Sequence, residues 1–347
     1  MSLRLGGRGY LLLALAATFV LMFYFYFDNA TGIYGGHDHD FGLVYYTSSR
    51  EQETNMTALV HPKTTLLRFQ HRLQHMHEIC ENGKELWSRT EAEKYRSSWV
   101  RNDNFVIVPG RPFLVCVLPK CGSSSWHWLA RDMREPLAAG HEFGWQDRQK
   151  NTEISQQLDS KSGLHLLTNK NAFLAIAVRH PFGKLISGWN EKLTRDNTYA
   201  SFLLEAYPLM KNYVSDKDKD HVISFDDFAL YLAYHGKDYK NLDYHFLPMN
   251  HLCQPCLYPY NHVVKLESLS LDEGLLKKEL NVSNFPWQLK GTGYVTKENR
   301  NSIEIIRTYF KSMSKSTILK LIDIYYYDFV LFGYTFDVDS LTAGGFL

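Results

Sequence analysis

The chain has 347 residues, of which 45% are hydrophobic and 14% aromatic, so it can bury a substantial core and global disorder is excluded. Its 38 Lys and Arg residues nearly balance 37 Asp and Glu residues, which leaves a net charge of +1. A nucleic-acid partner is therefore not expected, because no global basic field is present, and any anion binding must be local.

An uncharged apolar segment, 10–27, follows Arg4 and Arg8 near the N-terminus. As a helix with a rise of about 1.5 Å per residue it would span about 27 Å, close to the hydrocarbon thickness of a thin bilayer. The basic residues before it predict a cytoplasmic tail, 1–9, and a transmembrane signal-anchor, with a cleaved signal peptide as the alternative. We therefore expect a single-pass type II membrane protein whose body lies in the lumen of the secretory pathway.

The cysteines and the N-glycosylation sequons are compatible with that compartment. Sequons begin at Asn29, Asn55 and Asn281. The five cysteines leave at least one thiol without a partner in the chain, and Cys116, inside an apolar run, is predicted to be a buried thiol. For Cys253 and Cys256 we predict a disulfide between the two, since a lumenal protein favours one. A bridge from Cys80 to either of them is the alternative.

The rest of the chain divides into three predicted regions. Residues 28–61 lack sustained periodicity and are predicted to form a stem, in which the His37–Asp40 patch is interpreted as solvated rather than as a metal site. Residues 62–103 are polar and helix-rich, and we expect them to form a helical extension that packs on the globular body. A lumenal domain, 104–347, follows.

Apolar runs and helical patterns alternate within the lumenal domain. Strands are predicted at Phe105–Val108, Phe113–Leu118, Phe173–Val178 and Asn261–Leu266. Helices are predicted at Ser124–Met133, Pro181–Leu193, from a Ser224 cap through Tyr234, and over a long region Ser302–Phe332. Strands alternating with helices predict an α/β fold, a three-layer sandwich with a mainly parallel sheet.

The first motif with chemical content is Pro119–Trp126, PKCGSSSW, here called the first anion motif. It follows a buried strand and opens a helix, and a glycine lets the backbone approach a ligand closely. Lys120 supplies a cation, and three serines supply hydroxyls and helix-start amides, so the motif can cradle an anion. It lacks the glycine spacing of a Walker A loop. An ordinary strand–turn–helix is the alternative for this motif taken alone.

The second anion motif, Arg179–Trp189, has the same organisation. Arg179 stands at the carboxyl end of its strand, where open α/β sheets bind ligands, and a guanidinium there can bind phosphate through two hydrogen bonds. Ser187 lies nearly two turns into the following helix. Two anion motifs at one sheet predict a ligand with phosphate-like groups at both ends.

Taken together, the two motifs resemble the 5′-phosphosulfate loop and the 3′-phosphate motif of sulfotransferases. The similarity is greatest to Golgi carbohydrate sulfotransferases that act on chondroitin, dermatan or N-acetylgalactosamine-bearing glycans, and it extends over about residues 65–335. Further matching segments are Ser224–Leu232, His245–Cys256, Lys265–Glu267 and Tyr325–Tyr334. The resemblance implies a P-loop-like sulfotransferase fold, a Golgi location and the donor 3′-phosphoadenosine 5′-phosphosulfate, with no metal.

The resemblance also implies which residues bind the donor. For the 5′-phosphosulfate these are Lys120, Cys121, Gly122, Ser123, Ser124, Ser125 and Trp126; for the 3′-phosphate they are Arg179, Lys184 and Ser187. The sequence departs from the family pattern at two positions, because His180 replaces a common acid and Lys184 a common arginine. A solvated Lys184 and a structural His180 are the alternatives that these departures raise.

Sulfuryl transfer also needs a base for the acceptor proton. With Lys120 as the other catalytic residue, His141 is the first candidate, because the family tends to place a histidine between the two motifs. His165 and His245 are the alternatives.

These inferences converge on a membrane-anchored Golgi enzyme that moves a sulfuryl group to a hydroxyl of a glycan or proteoglycan, with a chondroitin or dermatan acceptor favoured. A lumenal glycan-binding pseudoenzyme is the alternative. A P-loop nucleotide kinase is disfavoured, because the Walker lysine context is missing and the compartment is wrong. The oligomeric state stays open, with a homo-oligomer as one option.

Overall fold

The computed structural model describes residues 62–83, 104–136, 144–156, 166–214, 218–283, 302–335 and 338. All of them belong to one compact unit, Asn55–Leu347. The predicted tail, anchor and stem, 1–61, lie outside the described residues. Within the described ranges, no helix is both long enough and apolar enough to cross a membrane.

Four strands form one sheet in the order β1-β2-β3-β4. They are β1 Phe105–Ile107, β2 Phe113–Cys116, β3 Phe173–Val178 and β4 His262–Lys265. β1 is antiparallel to β2, whereas β2, β3 and β4 run parallel to one another. The strand over Phe173–Val178 is confirmed to the residue, and the other three are one or two residues shorter than predicted.

The helices, in chain order, are α1 Pro62–Asn82, α2 Ser123–Arg134, α3 Trp145–Gln156, α4 Pro181–Lys192, α5 Thr198–Ala206, α6 Phe225–His235, α7 Met249–Cys253, α8 Leu269–Leu280, α9 Ser302–Phe310 and α10 Lys315–Leu331. The long helical region predicted over 302–332 is divided in two. α9 ends at Phe310, and a new helix, α10, begins after Ser314, whose side chain accepts a hydrogen bond from the amide of Thr317 and so caps it.

The sheet is covered on both faces, which gives three layers. One set of alternate strand residues, including Leu114, Ile176 and Val263, packs against α4, α6, α9 and α10. The other set, including Val115, Ala175 and Val264, packs against α2 and α8. Strands buried on both faces read as continuous apolar runs, which explains why the sequence identified them.

Helix α1 joins both layers. Phe69 packs into the α2/α8 side of the core and Met76 into the other. The fully buried carboxylate of Asp272 in α8 accepts from Arg68 at 2.9 Å and from Arg72 at 2.8 Å, which compensates for its burial. This helix is therefore part of the compact unit rather than an appendage to it.

Two disulfides correct the sequence-based pairing. Cys80 is bonded to Cys256, and Cys116 to Cys253, whereas Cys121 is a free buried thiol. The predicted Cys253–Cys256 bridge is wrong, because the two residues lie on opposite sides of a left-handed turn at Gln254 and face different partners. The expectation that Cys116 is a buried free thiol is also wrong, because Cys116 is bonded to Cys253, while the Cys80–Cys256 alternative is confirmed.

Candidate active site

The carboxyl ends of three parallel strands meet at one edge of the sheet. β2 leads into the first anion motif, β3 into the second, and β4 into the turn that contains Leu266 and Glu267. A Cβ on Gly122 would lie only 3.2 Å from Cδ1 of Leu266, so the first motif and this turn are closely packed. This convergence builds the candidate site at the position where open α/β sheets bind ligands.

The first anion motif has an unusual backbone. Lys120 has a φ of 67° and Gly122 a φ of 82°, both in the left-handed region. Gly122 is the N-cap of α2, but it offers no side-chain oxygen to the first turn of the helix. The amide of Ser125 donates to the carbonyl of Gly122 at 3.0 Å, so the amides of Ser123 and Ser124 are the ones that an anion at the start of α2 would meet.

The side chains of the first anion motif divide between core and site. Cys121, Ser125 and Trp126 are buried, and the thiol of Cys121 contacts the sulfur of Met249. Ser123 and Ser124 are partly exposed and accept hydrogen bonds from Nη2 of Arg148, at 3.2 and 2.9 Å. The motif thus presents one lysine and two serine hydroxyls to a ligand, together with backbone amides.

Lys120 forms an ion pair with Glu191, near the end of α4. Burial lowers the pKa of Lys120, although Glu191 counteracts this effect. Burial likewise opposes ionisation of Glu191, but Lys120 and Lys192 outweigh it and lower the pKa of the carboxyl to about 2. The charge of Lys120 is therefore compensated by one carboxylate, that of the half-exposed Glu191.

The two anion motifs touch each other. Nη1 of Arg179 donates to the backbone carbonyl of Lys120 at 3.1 Å, which places the arginine beside the strained backbone of the first motif. Ser187 is half-buried on α4, on the helix that Arg179 precedes. The two cations predicted to bind opposite ends of a ligand, Lys120 and Arg179, thus lie in motifs that contact each other.

His180 fixes the start of α4. Its Nδ1 accepts from the amide of Phe182, and its own amide donates to Glu267 at 2.7 Å. The second carboxylate oxygen of Glu267 accepts from the hydroxyl of Tyr334 at 2.9 Å. Burial lowers the pKa of His180 to about 4, so the ring stays neutral and keeps its acceptor nitrogen.

Lys184 is neither solvated nor directed at the sheet edge, so the solvated alternative is wrong. Its side chain is buried, and Nζ donates to the carbonyl oxygens of His245 and Leu247 at 2.8 and 2.9 Å. A Cβ on Gly188 of the same helix would lie 2.7 Å from the ring of Phe246. The hydrogen bonds of Lys184 hold the 243–247 loop against α4, and the lack of a side chain at Gly188 allows the ring of Phe246 to approach the helix closely.

That loop carries a histidine–aspartate pair. Nδ1 of His245 lies 2.6 Å from Oδ1 of Asp243, and the hydroxyl of Tyr199 donates to the other carboxylate oxygen at 2.9 Å. Burial opposes ionisation of Asp243, but the hydrogen bonds from His245 and Tyr199 lower its pKa. Because Nδ1 donates to the carboxylate, Nε2 is left as the basic nitrogen of His245.

The histidine–aspartate pair is linked to Lys120 through a short series of contacts. Nζ of Lys192 lies 3.0 Å from Glu191 and 5.0 Å from the ring centroid of Tyr199, while Tyr199 packs edge-on against His245. Burial lowers the pKa of His245, and the charges of Lys192 and Lys184 lower it further. Asp243 raises the pKa, but the net shift is downward. The imidazole is therefore a neutral base at neutral pH.

The other two histidine candidates, His141 and His165, lie outside the described residues. Sequence reasoning missed Arg148, Glu191 and Asp243. Asp243 had a local signal, because an aspartate two residues before a histidine commonly accepts from its backbone. Arg148 and Glu191 had none, since both come from polar helix faces far away in sequence. No group of three or more potential metal ligands occurs within the described ranges.

Comparison with known proteins gives matches along the same region. Carbohydrate sulfotransferase 9 of Homo sapiens is 24% identical over 231 residues, which cover 64% of this chain and 51% of that protein. Carbohydrate sulfotransferase 14 of Danio rerio is 24% identical over 240 residues, covering 64% and 59%. The chain thus spans little more than half the length of these two relatives. Carbohydrate sulfotransferase 10 of Xenopus laevis is 24% identical over 295 residues, covering 82% and 81%.

No solved structure gave a significant match. A family model described as the sulfotransferase family matches residues 103–335, which is more than half of the chain and includes both anion motifs and the 243–247 loop. The chain therefore belongs to the sulfotransferase family.

Proposed function

We propose that this chain is a carbohydrate O-sulfotransferase that moves a sulfuryl group from 3′-phosphoadenosine 5′-phosphosulfate to a hydroxyl of a glycan. The observation that carries the proposal is the hydrogen bond from Arg179 to the carbonyl of Lys120 at 3.1 Å, which joins two cationic anion motifs at one sheet edge. Such a site suits a nucleotide with phosphate groups at both ends. The names of the relatives support a carbohydrate acceptor.

In the proposed complex the first anion motif holds the 5′-phosphosulfate. Lys120 moves from Glu191 to the sulfuryl group or the leaving oxygen, while Ser123, Ser124 and the first amides of α2 bind the phosphate oxygens. Arg179 and Ser187 bind the 3′-phosphate. Cys121, Ser125 and Trp126 contribute backbone and packing, and Lys184 acts only through the loop that it supports.

The reaction forms one S–O bond and breaks another. The acceptor oxygen attacks sulfur in line with the bond to the 5′-phosphate, and the leaving nucleotide departs with the electron pair as adenosine 3′,5′-bisphosphate. Nε2 of His245 takes the proton of the acceptor hydroxyl, and Asp243 stabilises the imidazolium that results. His245, the one of the three candidate bases that the structure describes, has a carboxylate partner at 2.6 Å.

The proposed setting is the Golgi lumen, with the chain anchored through 10–27 as a type II protein. A chondroitin or dermatan acceptor is the favoured substrate. An aromatic pair near the base, Tyr199 and the exposed Phe202, lies with ring centroids 5.4 Å apart beside Lys192. Aromatic faces and a cation together suit an anionic pyranose ring.

The test uses the full chain, produced in a secretory host and solubilised in detergent. It is incubated with sulfur-labelled donor and chondroitin, dermatan, heparan and N-acetylgalactosamine-terminated acceptors, beside Lys120→Ala, Arg179→Ala and the matched surface control Lys150→Ala. We expect labelling of a chondroitin or dermatan acceptor by the unmodified chain and the control, and its loss in the other two variants. A folded chain that binds no donor would refute the proposal, and donor binding without transfer to any acceptor would favour the pseudoenzyme.

A further inference from the structure

We propose that Arg148 is a sulfuryl-binding residue, whose guanidinium binds the sulfonate oxygens of the donor during transfer. The inference rests on the proposed function, because it assigns a new residue to the group that is transferred. It arises from the position of helix α3, which sequence reasoning left without a role.

The first step in the argument is the position of the guanidinium. Nη2 of Arg148 donates to Ser124 at 2.9 Å and to Ser123 at 3.2 Å, the two hydroxyls that the first anion motif presents. Arg148 thus reaches the N-terminus of α2 from a neighbouring helix. A group so placed lies next to any anion that occupies the start of α2, and its other N–H groups remain available to that anion.

The second step concerns charge. Among the described residues Arg148 has no carboxylate within ion-pair distance, and the acid whose field acts on it is Glu191, which already pairs with Lys120. Burial lowers the pKa of Arg148, because the cation is partly desolvated, and no carboxylate of the described ranges pairs with it. Glu191 is thus the shared acid of three cations, Lys120, Lys192 and Arg148, and an incoming sulfonate would neutralise the excess positive charge.

The third step concerns rigidity. Asn151, one turn beyond Arg148, is buried and donates to the carbonyl oxygen of His127 in α2 at 2.6 Å. Arg131 of α2 lies 3.5 Å from Asp147 of α3. Burial, followed by the charge of Arg148, lowers the pKa of His127 to about 3, so no second cation competes at this position. The guanidinium is thereby held on a docked helix, as preorganised electrostatic stabilisation requires.

The fourth step decides which end of the donor Arg148 meets. The hydrogen bonds of Arg148 go to Ser123 and Ser124, in the motif proposed for the 5′-phosphosulfate. Arg179 is proposed instead for the opposite, 3′-phosphate end. A cation at the 5′-phosphosulfate end can bind the sulfonate oxygens, which carry negative charge as the S–O bond to the 5′-phosphate breaks. Arg148 stays protonated throughout.

The experiment compares two ligands that differ only in the sulfuryl group. Binding of 3′-phosphoadenosine 5′-phosphosulfate and of adenosine 3′,5′-bisphosphate to the full chain is measured by calorimetry, without acceptor. Arg148→Met and Arg148→Lys are compared with Lys150→Met, which removes an exposed charge from the same helix. For Arg148→Met we expect the Kd of the phosphosulfate to rise about 10- to 100-fold, as for loss of a charge-assisted hydrogen bond, and that of the bisphosphate by less than about threefold.

Arg148→Lys keeps the charge but loses the planar fork, so we expect a smaller, still sulfonate-selective loss. This variant also decides the question if Arg148→Met does not fold. An equal loss for both ligands would show that Arg148 only braces the serines, and an unchanged Kd for the phosphosulfate would show that it does not reach the sulfonate; either result overturns the inference. Failure of the unmodified chain to bind either ligand would instead refute the proposed function, and the inference with it.

Discussion

The side chain of Arg179 donates to the main-chain carbonyl of Lys120 at 3.1 Å, although the two residues end different strands. The bond ties the residue proposed for the 3′-phosphate to the backbone of the loop proposed for the 5′-phosphosulfate. Neighbouring parallel strands make the contact available, because their carboxyl ends lie at the same edge.

Replacing Glu191 with Gln is expected to tighten nucleotide binding. The carboxylate now neutralises Lys120 and would lie close to an incoming anion, so its removal leaves the lysine free for the ligand. We expect the Kd of adenosine 3′,5′-bisphosphate to fall about three- to tenfold at low salt, and the gain to shrink as salt screens the charges. Calorimetry at two ionic strengths tests this. Glu205→Gln, an exposed site on α5, is the control, and weaker binding by Glu191→Gln would contradict the argument.

Replacing Asp243 with Asn is expected to slow transfer without weakening donor binding. The carboxylate holds His245 in the tautomer with a free Nε2 and stabilises its protonated form, so we expect kcat to fall about 10²- to 10⁴-fold. Tyr199→Phe, which removes a single hydrogen bond to the same carboxylate, should have a smaller effect.

The pH profile gives a second readout for Asp243→Asn. Burial lowers the pKa of His245, whereas Asp243 raises it. The base must be neutral, so activity falls as pH falls through its pKa, below 6.5 in the unmodified chain. Without the carboxylate the acidic limb should move to still lower pH, while the plateau falls. A variant with an unchanged limb and plateau would exclude His245 as the base.

The fold was largely predictable, because it rests on apolar runs. β3 is buried on both sides, and its whole length lies in an apolar run that is bounded by Asn171 and Arg179. Ser224 was identified as a cap through the acids that follow it, and it accepts from the amide of Asp227. These signals depend on the local sequence alone, so they can be recognised without knowledge of tertiary contacts.

The site was predictable only in part, because half of it comes from pairs that are distant in sequence. Lys120 and Arg179 end strands and were found from that position. Glu191 meets Lys120, and Arg148 meets Ser124, only because helices dock across the sheet edge, and neither has a sequence pattern of its own. The cysteine pairing failed likewise, since a short spacing does not determine which side of a turn each residue faces.

The cysteines of the folded chain are expected not to react with a thiol reagent. Cys121 is buried, and burial raises the pKa of its thiol to about 12, so alkylation of the native chain by iodoacetamide should label no cysteine among those described. After unfolding in urea without reductant, Cys121 alone should react. Mass spectrometry of non-reduced peptides should show Cys80 linked to Cys256, and a Cys253–Cys256 peptide would contradict the structure.

The bridge between Cys116 and Cys253 joins β2 to α7 across a sequence separation of 137. Replacing both cysteines with Ala is expected to lower the free energy of unfolding by about 2–5 kcal/mol, since the crosslink restricts the unfolded chain. Urea unfolding followed by fluorescence measures the loss. Cys121→Ala, which removes a buried thiol but no crosslink, is the control and should cost less.

His180→Asp is expected to change how stability depends on pH. In the folded chain neutral His180 caps α4 through Nδ1, and burial lowers its pKa to about 4, against 6.5 for the ordinary side chain. Below pH 6.5 the unfolded state therefore binds more protons than the folded state does. The free energy of unfolding is thus higher above pH 6.5 and decreases as the pH falls towards 4. Between pH 7 and pH 5 this group accounts for up to about 2 kcal/mol of the loss.

An aspartate at the same position accepts from the amide of Phe182 as an ionised carboxylate across this whole range, so the variant should lose less stability between pH 7 and pH 5. His127 and His251, whose pKa values burial lowers to about 3 and about 4, are present in both proteins, so their contribution cancels in the comparison. Urea unfolding at the two pH values measures the difference. Equal losses in both proteins would mean that His180 does not cap the helix through its neutral ring.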